Sequence, residues 1–252
     1  MLDKSITSNN FYKKNLEYSR LAFEKDNMLP HRYVLVLTNL CNLACSFCFQ
    51  DRRKNPNRMF FEDWEKFIDE VPNNSRITLT GGEPLVFKEF DKLLKLCTHK
   101  CETNIVSNGL LLDQKKIDLF LSEKNFKVLG ISIDTIGNVN RDFKPGAWEK
   151  LVKSIQDFKK QRDKVGHDCA IDIKTVVLEE NIQDLFEIHK YCAEILESDT
   201  HSIQLLKGSE IQHSDLMFEH ESINKRYKAY KYEKFEELIN QLNKIREYNF
   251  KF

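Results

Sequence analysis

The sequence has no long apolar run, no excess of either charge and no tract rich in proline or glycine, and each absence removes a class of protein. No stretch approaches the about 20 apolar residues of a membrane-spanning helix, and Met1 to Ser8 lacks the apolar core of a secretory signal. A cytoplasmic protein with no membrane partner is expected. Lysine and arginine number 39 against 39 aspartates and glutamates, so no overall field draws the chain to nucleic acid, and none is expected as a partner. Eight glycines and five prolines in 252 residues leave no linker-like tract. One main domain over 31–252 is therefore expected, behind a helical extension over 1–30. Of seven cysteines, three fall within eight residues and none follows Cys192. That distribution suits a reducing compartment and a metal site better than a disulfide framework.

The three are Cys41, Cys45 and Cys48, directly after the strand-like run Tyr33 to Thr38. A closed structural zinc site takes four ligands, and an ordinary [4Fe-4S] cluster takes four thiolates. Three thiols on one loop leave one iron of such a cluster open, which is useful where a second molecule is meant to bind there. The residues alone also allow a zinc site completed by a histidine such as His31. Some 33 residues after Cys48, the strand-like Ile77 to Thr80 runs into Gly81-Gly82-Glu83-Pro84. Two glycines after a strand permit positive φ and a close approach of backbone to a ligand, Pro84 fixes the exit, and Glu83 offers an acceptor for an ammonium group.

Together, the cysteine spacing, with Phe47 before the last thiol, and the Gly-Gly-Glu-Pro turn resemble the two motifs of the radical S-adenosylmethionine (SAM) enzymes. The resemblance implies that Cys41, Cys45 and Cys48 hold a [4Fe-4S] cluster and that SAM chelates the open iron. It further implies that Gly81, Gly82, Glu83 and Pro84 bind SAM, with Phe47 beside the cluster. Ser107-Asn108-Gly109 is similar to the family's third strand ending. Ser132 and Asp134, two apart on the fourth strand, are candidates for the SAM ribose or carboxylate, and Arg141 for the methionine carboxylate, with Lys144 as substitute. For each of these a polar rim is the plain alternative, and for Asn181 it is a helix cap. The implied activity is reductive cleavage of SAM followed by hydrogen abstraction from a peptide or carbohydrate-type metabolite, with a flavodoxin or ferredoxin as electron donor. A nucleotide-modifying, viperin-like enzyme and a non-catalytic zinc or iron–sulfur module are the alternatives. The branch resembled is viperin-like or SPASM-type, without the latter's cysteine-rich C-terminal extension.

Strand and helix signals alternate along the chain. Helices are expected over 9–27, 61–71, 88–99, 113–122, 147–163, 181–196 and 223–248, and strands over 33–38, 76–80, 102–106, 126–133, 170–177 and 202–206. Six strand–helix units give an α/β fold with a parallel sheet wrapped by helices, too few for a closed eight-stranded barrel. The resemblance makes this a partial (β/α)6 barrel with ligand loops at the C-terminal strand ends. Cys97, Cys101, Cys169 and Cys192 are expected to be buried packing residues. Arg52, Arg53, Lys54 and Arg58 form a basic run, and Lys207 and Glu210 follow the sixth strand; solvated surface is the default for both.

Overall fold

A computed structural model describes residues 10–25, 28–45, 47–48, 59–141, 143–206 and 232–250. After α1 (Asn10–Glu24) come β1 (Arg32–Val36), α2 (Phe61–Glu70), β2 (Arg76–Thr80), α3 (Phe90–Lys100), β3 (Glu102–Ser107) and α4 (Gln114–Ser122). These are followed by β4 (Phe126–Ser132), α5 (Ala147–Val165), β5 (Ala170–Val177), α6 (Leu185–Glu194), β6 (Thr200–Leu205) and α7 (Phe235–Phe250). The six strands form one sheet in sequence order, every neighbouring pair parallel, with β1 and β6 at its open edges. The α/β architecture read from the alternation is the one observed.

Side-chain parity separates the two faces of this sheet. Ile77, Leu79, Ile105, Leu129, Ile131, Ile171 and Ile173 pack with Leu93, Leu94, Ile117, Phe120, Leu151, Ile155 and Phe158 from the helices in one continuous core. Each such side chain contributes about 1.5–3 kcal/mol on burial. The other parity is polar: Arg32 Nε donates to Thr78 Oγ1 at 3.3 Å, Thr78 Oγ1 donates to Asn104 Oδ1 at 3.0 Å, and Lys174 Nζ meets Asp172 Oδ2 at 2.5 Å. Gly130 lies on this face, where an added Cβ would meet Ile105 O at 2.8 Å and Lys174 Cε at 3.0 Å. Lys174 thus lays its stem across β4.

The helix α1 belongs to the N-terminal ends of the strands. Lys14 pairs with Glu102 at 3.0 Å, and Tyr18 stacks on His31 with ring centroids 3.6 Å apart. At the other end of the chain the structure corrects the expected helix over 223–248. Its first part lies outside the described residues, but 232–234 are not helical and α7 begins at Phe235. The reason is Tyr232, a buried residue whose Oη donates to Val177 O at 2.9 Å and accepts from Leu206 N at 2.7 Å. It works as a clasp, and α7 then packs through Leu238 and Ile245 on Val177, Ile182 and Leu185. Cys97, Cys101, Cys169 and Cys192 are all buried, and burial pushes each thiol up, Cys169 to about 12. They are packing residues.

A pair of imidazoles, His189 buried and His201 half-buried, links α6 to β6. Thr175 Oγ1 donates to Ile133 O at 2.5 Å, so it accepts from His201 Nε2 at 2.8 Å. The Nδ1 atoms of His201 and His189 lie 3.0 Å apart, and His189 Nε2 faces Asn249 Oδ1 at 3.0 Å. Burial, and secondly the neighbouring His189, hold His201 down at about 3. A histidine depressed in the fold contributes stability that is present above its unfolded value and lost as pH falls through the folded one. The unfolding midpoint should therefore drop between pH 6.5 and about 3, with a shallower slope in His201→Gln. Thermal melts across that range check this; parallel slopes would contradict it.

Candidate cofactor-binding site

The C-terminal strand ends carry a continuous set of buried polar contacts. The turn after β2 is pinned to the chain leaving β1: Gly82 N donates to Thr38 O at 2.6 Å and Glu83 N to Leu40 O at 2.8 Å. An added Cβ on Gly81, whose φ is +151°, would stand 2.4 Å from Thr38 O, and one on Gly82 2.3 Å from Leu40 O. The two glycines therefore admit the backbone that leads into the cysteine loop. The sequence reading had them admitting a ligand; the Cβ side of each is taken by backbone.

Glu83 is fully buried. Its Oε1 accepts from Leu85 N at 3.0 Å and Ser107 Oγ at 2.8 Å, and its Oε2 accepts from Asn108 N at 2.8 Å. Burial pushes this carboxyl up, while the three donors pull it back. Pro84 opens a short 3-10 turn, Pro84–Val86, and is itself buried. Glu83 thereby holds the end of β3 in place, and Asn108 reaches from there to the cysteine loop, donating from Nδ2 to Asn42 Oδ1 at 2.7 Å and approaching Cys41 Sγ at 3.8 Å.

A second tie comes from beyond β4. Ser132 is half-buried at the strand end, and its carbonyl accepts from Asn138 Nδ2 at 3.3 Å. Asp134 is fully buried; its Oδ2 meets Arg141 Nε at 2.6 Å and its Oδ1 accepts from Val176 N at 2.7 Å. Burial is the larger influence on Asp134 and pushes it up, opposed by the guanidinium and the Val176 amide. Arg141 then places Nη1 3.9 Å from Cys45 Sγ and its guanidinium carbon 5.2 Å from the centre of the Phe47 ring. Lys144 is exposed, so Arg141 is the cation that faces the loop.

Two residues in this arrangement escaped sequence reasoning. Asn138, fully buried at φ +48°, accepts from Asp134 N at 2.9 Å and so closes the loop that brings Arg141 back. The signal was present in Gly137-Asn138, since asparagine tolerates the left-handed region better than most residues. Asn42 carried none. Asn181, for which a helix cap was the plain alternative, makes no side-chain cap; it ties the segment after β4 to β5, donating to Asp134 O and Val176 O, both at 2.8 Å.

The donor chemistry of the loop fits a thiolate-bound cluster. Cys41, Cys45 and Cys48 are all partly exposed, unlike the other four cysteines. The groups that approach their sulfurs include N–H donors: Leu43 N at 3.4 Å and Asn108 Nδ2 on Cys41, Arg141 Nη1 on Cys45. Such neighbours stabilise anionic sulfur and tune a cluster's potential. Among the described residues no three His, Cys, Asp or Glu side chains are gathered round a common metal position. A zinc site completed by His31 is excluded by position, because His31 precedes β1 and the cysteines follow it, and five strand residues alone span about 16 Å. The basic run at 52–58, together with Lys207 and Glu210, lies outside the described residues.

A model of the radical SAM superfamily matches residues 35–192. The chain is 28% identical over 172 residues to the sporulation killing factor maturation protein SkfB of Bacillus subtilis, a match covering 67% of this chain and 41% of SkfB. It is 30% identical over 162 residues to GTP 3',8-cyclase of Clostridium perfringens, covering 59% of this chain and 47% of the cyclase. Among solved structures, Streptococcus suis SuiB bound to S-adenosylmethionine superposes with a TM-score of 0.65 at 20% identity, covering 95% of this chain and 53% of SuiB. That likeness is one of fold. The chain thus spans about half the length, or less, of these relatives.

Gly82→Ala tests the contact between the turn and the loop. Forcing a Cβ against Leu40 backbone should cost about 1–3 kcal/mol, a fall of roughly 2–12 °C in the unfolding midpoint. Gly146→Ala, where a Cβ meets no atom within 4 Å, should cost only the strain of its positive φ. Equal midpoints for the two variants would contradict the packing role given to Gly82.

Proposed function

The chain belongs to the radical SAM superfamily, and on that premise we propose that it binds a [4Fe-4S] cluster through Cys41, Cys45 and Cys48 and cleaves SAM reductively to start radical chemistry on a substrate. The observation that carries this reading is the pairing of three partly exposed thiols on one loop with N–H donors supplied to Cys41 and Cys45 by two separate strand ends. A cluster held by Cys41, Cys45 and Cys48 would supply the one electron for reductive cleavage of SAM to methionine and a 5'-deoxyadenosyl radical, which would take hydrogen from the substrate.

The residues of this chain have positioning to do. Asn108 and Arg141 hold the loop, and Gly81 to Pro84 fix the level at which it leaves β1. Ser132, half-buried at the end of β4, is the strand-end candidate for the SAM ribose. Phe47, whose ring lies under the Arg141 guanidinium, would flank the cluster. Glu83 and Asp134 act chiefly from behind the site, because their carboxylates are sealed from solvent and already bonded. The polar face of the sheet, with Asp172 and Lys174 beside Ser202, is the surface a substrate would meet.

For the substrate, a peptide is favoured. SkfB is named as the maturation protein of a killing factor, and SuiB has been crystallised with its precursor peptide SuiA, at 24% identity and a TM-score of 0.60 over 81% of this chain and 46% of that one. The likeness to GTP 3',8-cyclase makes a nucleotide the second reading. A flavodoxin- or ferredoxin-type protein is the proposed electron donor, and the cytoplasm the proposed compartment. No described helix is long and apolar enough to cross a membrane.

The test is anaerobic reconstitution with iron and sulfide, reduction, and assay for 5'-deoxyadenosine and methionine. Both should form in equal amounts, and Cys45→Ala should abolish them. A chain that retains zinc alone, or that never cleaves SAM, would overturn the proposal.

A further inference from the structure

The sheet is open, and its two edges differ. Between β1 and β2, His31 O accepts from Arg76 N at 2.7 Å and Leu37 N donates to Thr80 O at 2.9 Å, with Tyr33 beside Ile77. The odd-numbered residues of β1 therefore direct their main-chain groups to β2, and Arg32, Val34 and Val36 turn theirs to the free edge. Among the described residues no main-chain hydrogen bond is made from that edge. Val34 is 50% exposed and Val36 45%, with side chains on the polar face beside Thr78 and Thr80.

Edge strands are ordinarily blunted by proline, a bulge, charge or a covering segment. β1 keeps a continuous register, has no proline, and carries its one charge, Arg32, at its start. β6, at the other edge, presents Thr200, Ser202 and Gln204, and the Tyr232 hydroxyl takes the N–H of Leu206 just beyond its end. α1 lies elsewhere: Lys14 and Tyr18 meet Glu102, Asn74 and His31 at the N-terminal strand ends.

We propose that the free edge of β1 is the docking strand for the peptide substrate, which adds to the sheet as an extended segment beside Arg32 to Val36. This rests on the peptide reading of the proposed function. Three N–H donors and three C=O acceptors stand in a row on Arg32, Val34 and Val36, a pattern that an extended main chain matches along its length. Alternate side chains of the added strand fall beside Val34 and Val36, so the peptide recognised carries apolar residues two apart. Its main chain supplies affinity, and that spacing supplies selectivity. β1 also sets the destination. Past Val36 the chain runs through Thr38 and Leu40, both held by the turn after β2, into the loop of Cys41, Cys45 and Cys48. A peptide lying on β1 is thereby led to the thiols, and the residue to be modified is one that extends past Val36.

Residue-resolved amide exchange on the apoprotein, followed by NMR, reads the edge directly. In the free chain the Val34 and Val36 amides should exchange fast and those of Tyr33 and Leu35 slowly. The probe is a pooled library of random peptides long enough to span β1, selected on the wild-type chain and sequenced. A selected peptide should protect Val34 and Val36 and leave Tyr33 and Leu35 unchanged. Methylating its backbone nitrogens one at a time should abolish binding at every second position. Val34→Pro, which removes an edge-facing N–H and no bond to β2, should weaken binding about 10-fold. Val34→Thr, which keeps the N–H and the shape, should weaken it less than about 3-fold. The methylation scan uses the wild-type chain, so it decides the matter if Val34→Pro folds poorly. Val34 and Val36 amides already slow in the free chain would overturn the proposal: the chain itself covers the edge if the protection ignores concentration, and a second copy does if it grows with concentration. Selected peptides that bind Val34→Pro as tightly as wild type, or a library from which none is selected, would overturn it too. A chain that binds peptide at this edge but takes up no cluster would leave the docking strand standing and count against the proposed function.

Discussion

A single buried carboxylate, that of Glu83, sets the geometry of the strand ends. Sealed from solvent, it is tolerable only because three donors converge on it, from the turn itself and from the end of β3. That convergence fixes Asn108, and Asn108 reaches the cysteine loop. Beside it, two backbone hydrogen bonds hold the same turn against Thr38 and Leu40 at a distance only glycine allows. Asp134 repeats the device one strand further on, with Arg141 as the arm that reaches out. The loop that carries the three thiols is therefore positioned from β2, β3 and β4 at once, although it leaves from β1.

Much of this was legible in the sequence. Alternating apolar strands and amphipathic helices gave the parallel sheet, because a strand whose Ile77 and Leu79 face helices must place Thr78 on the other side. The three thiols after β1 and the Gly-Gly-Glu-Pro turn after β2 fall at adjacent strand ends, as an order-preserving parallel sheet requires. What was not legible is which partner each residue takes. Glycine shows that something comes close without showing whether it is ligand or backbone. An acidic residue reads as an acceptor, and only the fold shows that the donors to Glu83 are Leu85, Ser107 and Asn108. Asn42, Asn138 and Asn181 bond groups that the chain brings together over several to 66 positions, and no local pattern carries that. Nothing local marks Phe235 as the start of the last helix, because what holds Tyr232 out of it is a hydroxyl needed between β5 and the end of β6.

The division of labour that results has a physical logic. The oily face of the sheet and the helices supply the stability, and the polar face is left partly open to solvent. Asp172, buried near the start of β5, bonds Thr200, Ser202 and Lys174, which fixes the polar side chains of that face. On the proposed function, a radical formed near the loop would meet its substrate on this face, and a rigid set of polar groups is what orients such a substrate without reacting in its place.

The central claim is that the three thiols hold a cluster with one iron open to SAM. Electron paramagnetic resonance of the reduced, reconstituted protein, recorded before and after adding SAM, tests it most directly. A reduced [4Fe-4S] signal whose g values shift on addition of SAM is the result this account predicts. A signal indifferent to SAM, or protein that takes up no iron at all, would contradict it.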